Sequence, residues 1–358
     1  MENENVTGSP GHPISLPSAI SRLQSARSAV SILLPAYNAA GTFEACLASI
    51  ARQTLANWEC VVVDDGSTDG TRTLACEAAR RDPRFRVLSI PRSGIVAALN
   101  VGLRVCRAPL VARMDADDLM HRERLDVQAR ALDADPALAA VGCGVRFFPR
   151  ASMSPRLREY EIWLNGLRGA DGVARDAFVE CPIAHPSLMM RRTVAGLGYR
   201  DCGWPEDYDL VLRALAAGLR IGVVPRRLHL WRDRPGRLSR TDARYAQPRF
   251  TACKAHFLAS GFLSGSARYI LWGYGSTGRS LRRALAALGR HPSHVVEVKP
   301  SRIGERIHGA PVIPPDRLAG VPAAPIVVSV AREGPRAEIR AALATMGFVE
   351  RRDYVCAA

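Results

Sequence analysis

A chain of 358 residues that is 47% hydrophobic can form two ordinary domains, each with a buried core, which excludes a mainly disordered protein. Its formal charge of +15 suits phosphates, acidic glycans or anionic lipid headgroups, and 47 of its 49 basic residues are arginine, scattered except for a dense run over residues 226–240. No base-stacking motif or groove-reading helix accompanies that charge, so nucleic acid is not an expected partner. Nine cysteines, an odd number without a C-x-x-C pair and several of them, such as Cys60 and Cys106, inside apolar segments where they read as core residues, point to a reducing compartment. The first 28 residues lack the apolar core of a signal peptide, and no apolar run reaches membrane-spanning length. A cytoplasmic chain is therefore expected, with peripheral contact at the inner face of a membrane open to it.

In chain order, residues 1–28 are polar and Pro/Ser/Gly-bearing and read as a loosely attached lead-in. Ala29-Val-Ser-Ile-Leu-Leu34 is a continuous apolar run of the kind found in strands buried on both faces, and it stops at Pro35-Ala-Tyr-Asn38. A helix follows over Thr42 to Gln53. A second buried strand, Trp58 to Val63, ends in Asp64-Asp-Gly-Ser-Thr-Asp-Gly70. Strands at Phe85 to Ile90 and Pro109 to Met114 flank a helix over Ile95 to Cys106, and another helix is expected from Arg122 to Ala131. Strands alternating with helices imply βαβ units and a mostly parallel sheet with helices on both faces, whose ligands gather beyond the carboxyl ends of the strands. Those ends carry Tyr37 and Asn38, Asp64 and Asp65, and Asp115 and Asp117.

The run Leu110-Val-Ala-Arg-Met-Asp-Ala-Asp-Asp118 ends an apolar strand in three acids. If strand geometry persists, Asp115 and Asp117 project to one side, where two carboxylates repel unless a cation lies between them. Hard oxygen ligands suit Mg²⁺ or Mn²⁺, which bind substrate phosphates as well. Alone, such a run is a solvated turn, and Asp-Gly-Ser-Thr-Asp-Gly alone is ordinary helix-capping chemistry. Together they define one crevice.

Val30-Ser-Ile-Leu-Leu-Pro-Ala-Tyr-Asn38, Val61-Val-Val-Asp-Asp-Gly-Ser-Thr-Asp69, Gly94 to Asn100 and Ala112-Arg-Met-Asp-Ala-Asp-Asp118 resemble the family-two glycosyltransferases of GT-A fold over residues 29–258. The resemblance implies inverting transfer from a nucleotide-diphosphate sugar to a glycan or lipid-linked acceptor, in the making of a surface polysaccharide or glycolipid. It implies donor contacts at Pro35, Ala36, Tyr37, Asn38, Asp65, Gly94, Asp115 and Ala116. Ala36 and Tyr37 would flank the base, Asp65 would accept from its ring N–H, and Asp115 would lie by the ribose. Asp117, with Asp115, would hold the Mg²⁺ or Mn²⁺ on the diphosphate.

Farther on, Tyr160, Trp163, Leu164 and Leu167 have helical spacing. Cys181-Pro-Ile-Ala-His185 resembles a segment the family places near the acceptor, which makes His185 an acceptor-side candidate, with Trp204 beside it. In Trp204-Pro-Glu-Asp-Tyr-Asp209, Pro205 fits a helix start, and Glu206 and Asp207 occupy its positive end. The resemblance assigns the general base to this pair, with Asp207 as base and Glu206 positioning it or binding acceptor hydroxyls; the residues alone leave the choice between the two open. The arginine-rich run reads either as a solvated loop or as a strap over the diphosphate, with Arg232 and Arg234 in Trp231-Arg-Asp-Arg234 as phosphate ligands. By the resemblance, many members of the family carry a Trp/Tyr-Arg-x-His pattern here, with a histidine where Arg234 stands, and arginine cannot coordinate a metal.

A linker is expected over 259–267 and a smaller Rossmann-like domain over 268–358. There Gly273, Gly275 and Gly278 form a G-x-G-x-x-G with Glu297 at the spacing of a ribose ligand. A bound nucleotide and a regulatory or assembly role without cofactor both fit that stretch. An NAD(P)-linked oxidoreductase built on this domain and a catalytically silent nucleotide- or glycan-binding protein are the competing readings.

Overall fold

The computed structural model describes residues 28–358, so all but the last residue of the expected lead-in lies outside the described residues. The first sheet comprises β1 (Val30–Ala36), β2 (Trp58–Asp65), β3 (Phe85–Ile90), β4 (Leu110–Arg113), β5 (Leu119–Met120), β6 (Leu138–Phe148), β7 (Met189–Arg191) and β8 (Arg220–Arg232). Its spatial order is β3-β2-β1-β4-β7-β6-β8-β5. The β1 and β2 strands are buried at every position, as their largely apolar runs favour, and the Ser31 hydroxyl within β1 donates to Glu59 of β2 at 2.6 Å.

The sheet is mixed rather than mostly parallel. The β3-β2-β1-β4 half is parallel, but β7 runs antiparallel to both β4 and β6, and β5 runs antiparallel to β8. Helices still separate the later strands, with Arg124–Ala134 before β6, Pro155–Gly166 and Gly169–Asp176 before β7, and Glu206–Ala216 before β8, so the reversal comes from the long-range pairing of β7 between β4 and β6 rather than from any loss of helices.

A second sheet holds β9 (Arg268–Trp272), β10 (His291–Val296), β11 (Arg306–Ile307), β12 (Ala310–Ile313), β13 (Ile326–Val328) and β14 (Tyr354–Cys356), in the order β11-β12-β10-β9-β13-β14. The helix Gln247–Ser260 serves both halves of the chain. Its Cys253 and Phe257 enter the core of the first sheet, while Ala255, Leu258 and Ala259 pack with Tyr269 and Leu271. Leu263, inside the expected linker, is fully buried in that second core. Lys254 reinforces the junction by donating to the Val179 and Ala357 carbonyls at 3.1 and 2.8 Å. All nine cysteines are free thiols. Among the described residues no helix is long and apolar enough to cross a membrane.

Candidate active site

The carboxyl ends of β1, β2 and β4 open onto a cavity of about 930 Å³. Pro35, Ala36, Tyr37, Asp65, Asp115, Ala116, Asp117, His185, Glu206, Asp207 and Arg234 all border it. Residues separated by up to 199 positions in the chain thus meet at one crevice. Asn38, Gly94, Trp204 and Arg232 are not among the residues that border it.

On the β1 side, Asn38 adopts a positive φ of 45° and ties the following loop: its Oδ1 accepts from Thr68 N at 2.9 Å, and its own N–H donates to Ser67 Oγ at 3.0 Å. Asp65 is buried. Its carboxylate accepts from the backbone N–H groups of Ser93 and Gly94, at 2.7 and 2.9 Å, and from the Arg92 guanidinium. Arg92 also lies over the Tyr37 ring at 3.8 Å, forming with it a flat cationic platform. Gly94, at φ 88°, caps the helix Ile95–Val105 and turns its N–H to Asp65.

The acidic run does not continue as a strand. The β4 strand stops at Arg113, and Asp115–Asp118 form a turn closed by Asp118 N–H donating to Asp115 O at 3.2 Å. The turn, not strand alternation, gathers the acids, and it draws in Asp118 as well: one oxygen from each of the three lies within 4.8 Å of the others. Asp115 accepts from Arg113 Nη2 at 2.6 Å, and Asp117 Oδ2 accepts from Arg234 Nε at 2.8 Å.

Asp118 is buried and held by Arg232 N–H at 2.7 Å and His229 Nε2 at 2.8 Å. Arg124 Nη1 lies 3.2 Å from His229 Nδ1; because a guanidinium can only donate, Nδ1 accepts and Nε2 carries the proton toward Asp118. Burial and the adjacent Arg124 hold His229 well below the usual histidine range, so the ring is neutral.

Across the cavity, Pro205 precedes the helix Glu206–Ala216, as its fixed φ favours. Glu206 is buried and receives the Tyr245 hydroxyl at 2.7 Å from each carboxylate oxygen. Burial raises its pKa against that bond. Burial and then the Glu206 charge push Asp207 up to about 7. Asp209, by contrast, is fully occupied by Arg200, Arg213 and Trp204 Nε1, which makes Trp204 a brace of this helix. His185 Nε2 is paired with the Tyr199 hydroxyl at 2.8 Å, and burial with the nearby Arg113 charge keeps it neutral.

Between these banks lies Arg113, 2% exposed, bordering the cavity with its Nε lacking a hydrogen-bond partner. Sequence reasoning overlooked it, although an arginine inside the apolar run Leu110–Met114 was a visible signal. Arg92, Asp118 and Tyr245 were likewise overlooked. The arginine-rich segment after β8 crosses the cavity, fastened through Arg234 to Asp117 and through Tyr245 to Glu206.

The glycine loop of the second sheet does not border this cavity. A Cβ on Gly278 would meet Gly273 O at 2.3 Å, and one on Gly273 would meet Val330 at 2.8 Å, whereas Gly275 has open space. Glu297 Oε1 already accepts from Tyr274 N–H at 2.6 Å and lies 3.3 Å from Arg302. Two of the three glycines and the acid therefore serve the loop's own packing.

A family model described as "Glycosyl transferase family 2" matches residues 31–196. The uncharacterized glycosyltransferase EpsJ of Bacillus subtilis is 27% identical over 59% of this chain, which spans 62% of that relative's length. The putative glycosyltransferase EpsE of the same organism is 30% identical over 53% of this chain and 68% of its own. Among solved structures, S. aureus TarS 1–349 in complex with UDP-GlcNAc shares the fold at a TM-score of 0.52, with 18% identity over 72% of this chain and 70% of that one.

Proposed function

The chain belongs to glycosyl transferase family 2, and from that premise we propose that it moves a sugar from a nucleoside-diphosphate donor to a hydroxyl of a glycan or lipid-linked acceptor. The product would be a polysaccharide or glycolipid. The observation that carries this reading is that Asp117 and Asp207 border the same cavity of about 930 Å³, large enough for a donor and the end of an acceptor.

The Tyr37–Arg92 platform offers a flat face for the base, with Asp65 fixing Arg92 in place. Asp115 lies at the next strand end, where the ribose follows. The three clustered carboxylates are hard oxygen donors and fit a Mg²⁺ or Mn²⁺ ion, with Asp117 and Asp115 as its ligands. Such an ion supplies neutralisation of the charge that develops on the departing diphosphate. The arginine-rich strap adds guanidinium groups over the same charge.

Asp207 accepts the proton of the attacking acceptor hydroxyl. Its raised pKa makes it a stronger base than an ordinary carboxylate, while Glu206, tied by Tyr245, holds a second negative charge beside it. Attack from the Asp207 side, opposite the diphosphate, inverts the anomeric centre without a covalent intermediate. The test is a panel of nucleotide sugars incubated with purified protein and Mn²⁺. Nucleoside-diphosphate release that depends on both Asp117 and Asp207 supports the reading, and turnover indifferent to either residue refutes it.

A further inference from the structure

We propose that Asp117 exchanges partners: Arg234 holds it until a divalent cation arrives with the donor, and the displaced guanidinium then binds the donor's diphosphate. The inference rests on the donor site proposed above and gives one of its residues two successive roles.

All three carboxylates of the acidic turn already have partners from the chain itself. Asp115 has Arg113, Asp117 has Arg234, and Asp118 has His229 and the Arg232 N–H. Of these bonds, the one to Arg234 is built to open. The basic partners of Asp115 and Asp118 are fixed by burial, with the Arg113 side chain 2% exposed and that of His229 0%, whereas the Arg234 side chain is 41% exposed.

The chain leading into Arg234 is anchored. Arg232 Nε donates to Asp117 O at 2.7 Å, and Asp233 N–H donates to Phe148 O at 2.8 Å. The exchange therefore needs only the side chain of Arg234 to rotate, beside Pro235 and Gly236. A guanidinium on Asp117 Oδ2 and a divalent ion on the same carboxylate would lie within a few ångströms of each other with like charge, so the two exclude one another. A diphosphate entering with the cation offers the released guanidinium a planar, bidentate acceptor set in place of the carboxylate it loses. Cation and diphosphate must then assist each other's binding, because each favours the same arrangement of Arg234.

Mn²⁺ binding to the full chain, followed by the EPR signal of the free ion, tests this with and without inorganic pyrophosphate. If free Asp117 is the minor state at about one part in ten, Arg234→Ala tightens Mn²⁺ binding roughly tenfold without pyrophosphate. It also reduces the mutual enhancement between Mn²⁺ and pyrophosphate expected of the wild type, leaving only what the ion's own bond to the diphosphate supplies. Arg237→Ala removes the same charge from the same cavity without touching Asp117; Arg237 lies over Trp231 at 4.6 Å. An Arg234→Ala affinity equal to the wild type's, or to that of Arg237→Ala, overturns the exchange. Mn²⁺ binding that survives Asp117→Ala overturns the donor-site reading itself.

Discussion

The hydroxyl of Tyr245 lies 2.7 Å from both carboxylate oxygens of Glu206, so a residue of the segment just after the arginine-rich run is bonded directly to the acid that flanks Asp207. The cover of the cavity and its basic end are thereby one hydrogen-bonded unit. Tyr245→Phe leaves Glu206 buried without this donor, and a loss of about 1–2 kcal/mol of stability is expected in urea titration. An unchanged midpoint would show that the bond contributes nothing.

The same pair sets the pH dependence. Asp207, raised to about 7, is protonated below that pH and cannot accept a proton. The kcat/KM for transfer should therefore fall as pH drops through neutrality and level off above it. Glu206→Gln removes the neighbouring charge that helps raise Asp207, so the midpoint should move to lower pH. A midpoint that stays in place would separate the two residues.

The acidic turn gives a prediction about the cation. Chelation with EDTA should abolish transfer, and restoring Mn²⁺ or Mg²⁺ should recover it. Asp117→Ala should remove the thermal shift that Mn²⁺ plus a donor produces in the wild type. Transfer at full rate in EDTA would mean that the chain's own arginines suffice.

In the second sheet, Gly278→Ala forces a Cβ to within 2.3 Å of Gly273 O and should cost about 1–3 kcal/mol in thermal or urea unfolding. Gly275→Ala meets open space at an ordinary negative φ and should be close to neutral. Equal effects at the two positions would contradict the packing role assigned to Gly278.

Much of this was readable in the residues. Buried strands announced themselves as largely apolar runs, and the polar clusters at their ends fell where a parallel βα arrangement puts a crevice, so the residues alone point Asp115 and Asp117 to the cavity they border, whereas Asp207 is singled out only by the family resemblance. Three things were not readable. The antiparallel insertion of β7 depends on long-range pairing that no local pattern encodes. Asp118 joins the acidic cluster because the chain turns after Arg113, whereas strand alternation placed it on the opposite face. Arg113 and Tyr245 act through partners 2 and 39 positions away, and only tertiary packing shows that their polar atoms face the cavity. The glycine loop of the second sheet shows the converse, since its spacing suits nucleotide binding while its contacts are those of close helix–strand packing.

The most direct test of the central claim compares donor binding with donor turnover in Asp207→Asn. The account predicts that the variant binds the nucleotide sugar and Mn²⁺ as the wild type does, while sugar transfer falls by about 10²–10⁴-fold, the usual loss on removing a general base. Transfer at the wild-type rate by Asp207→Asn would contradict it.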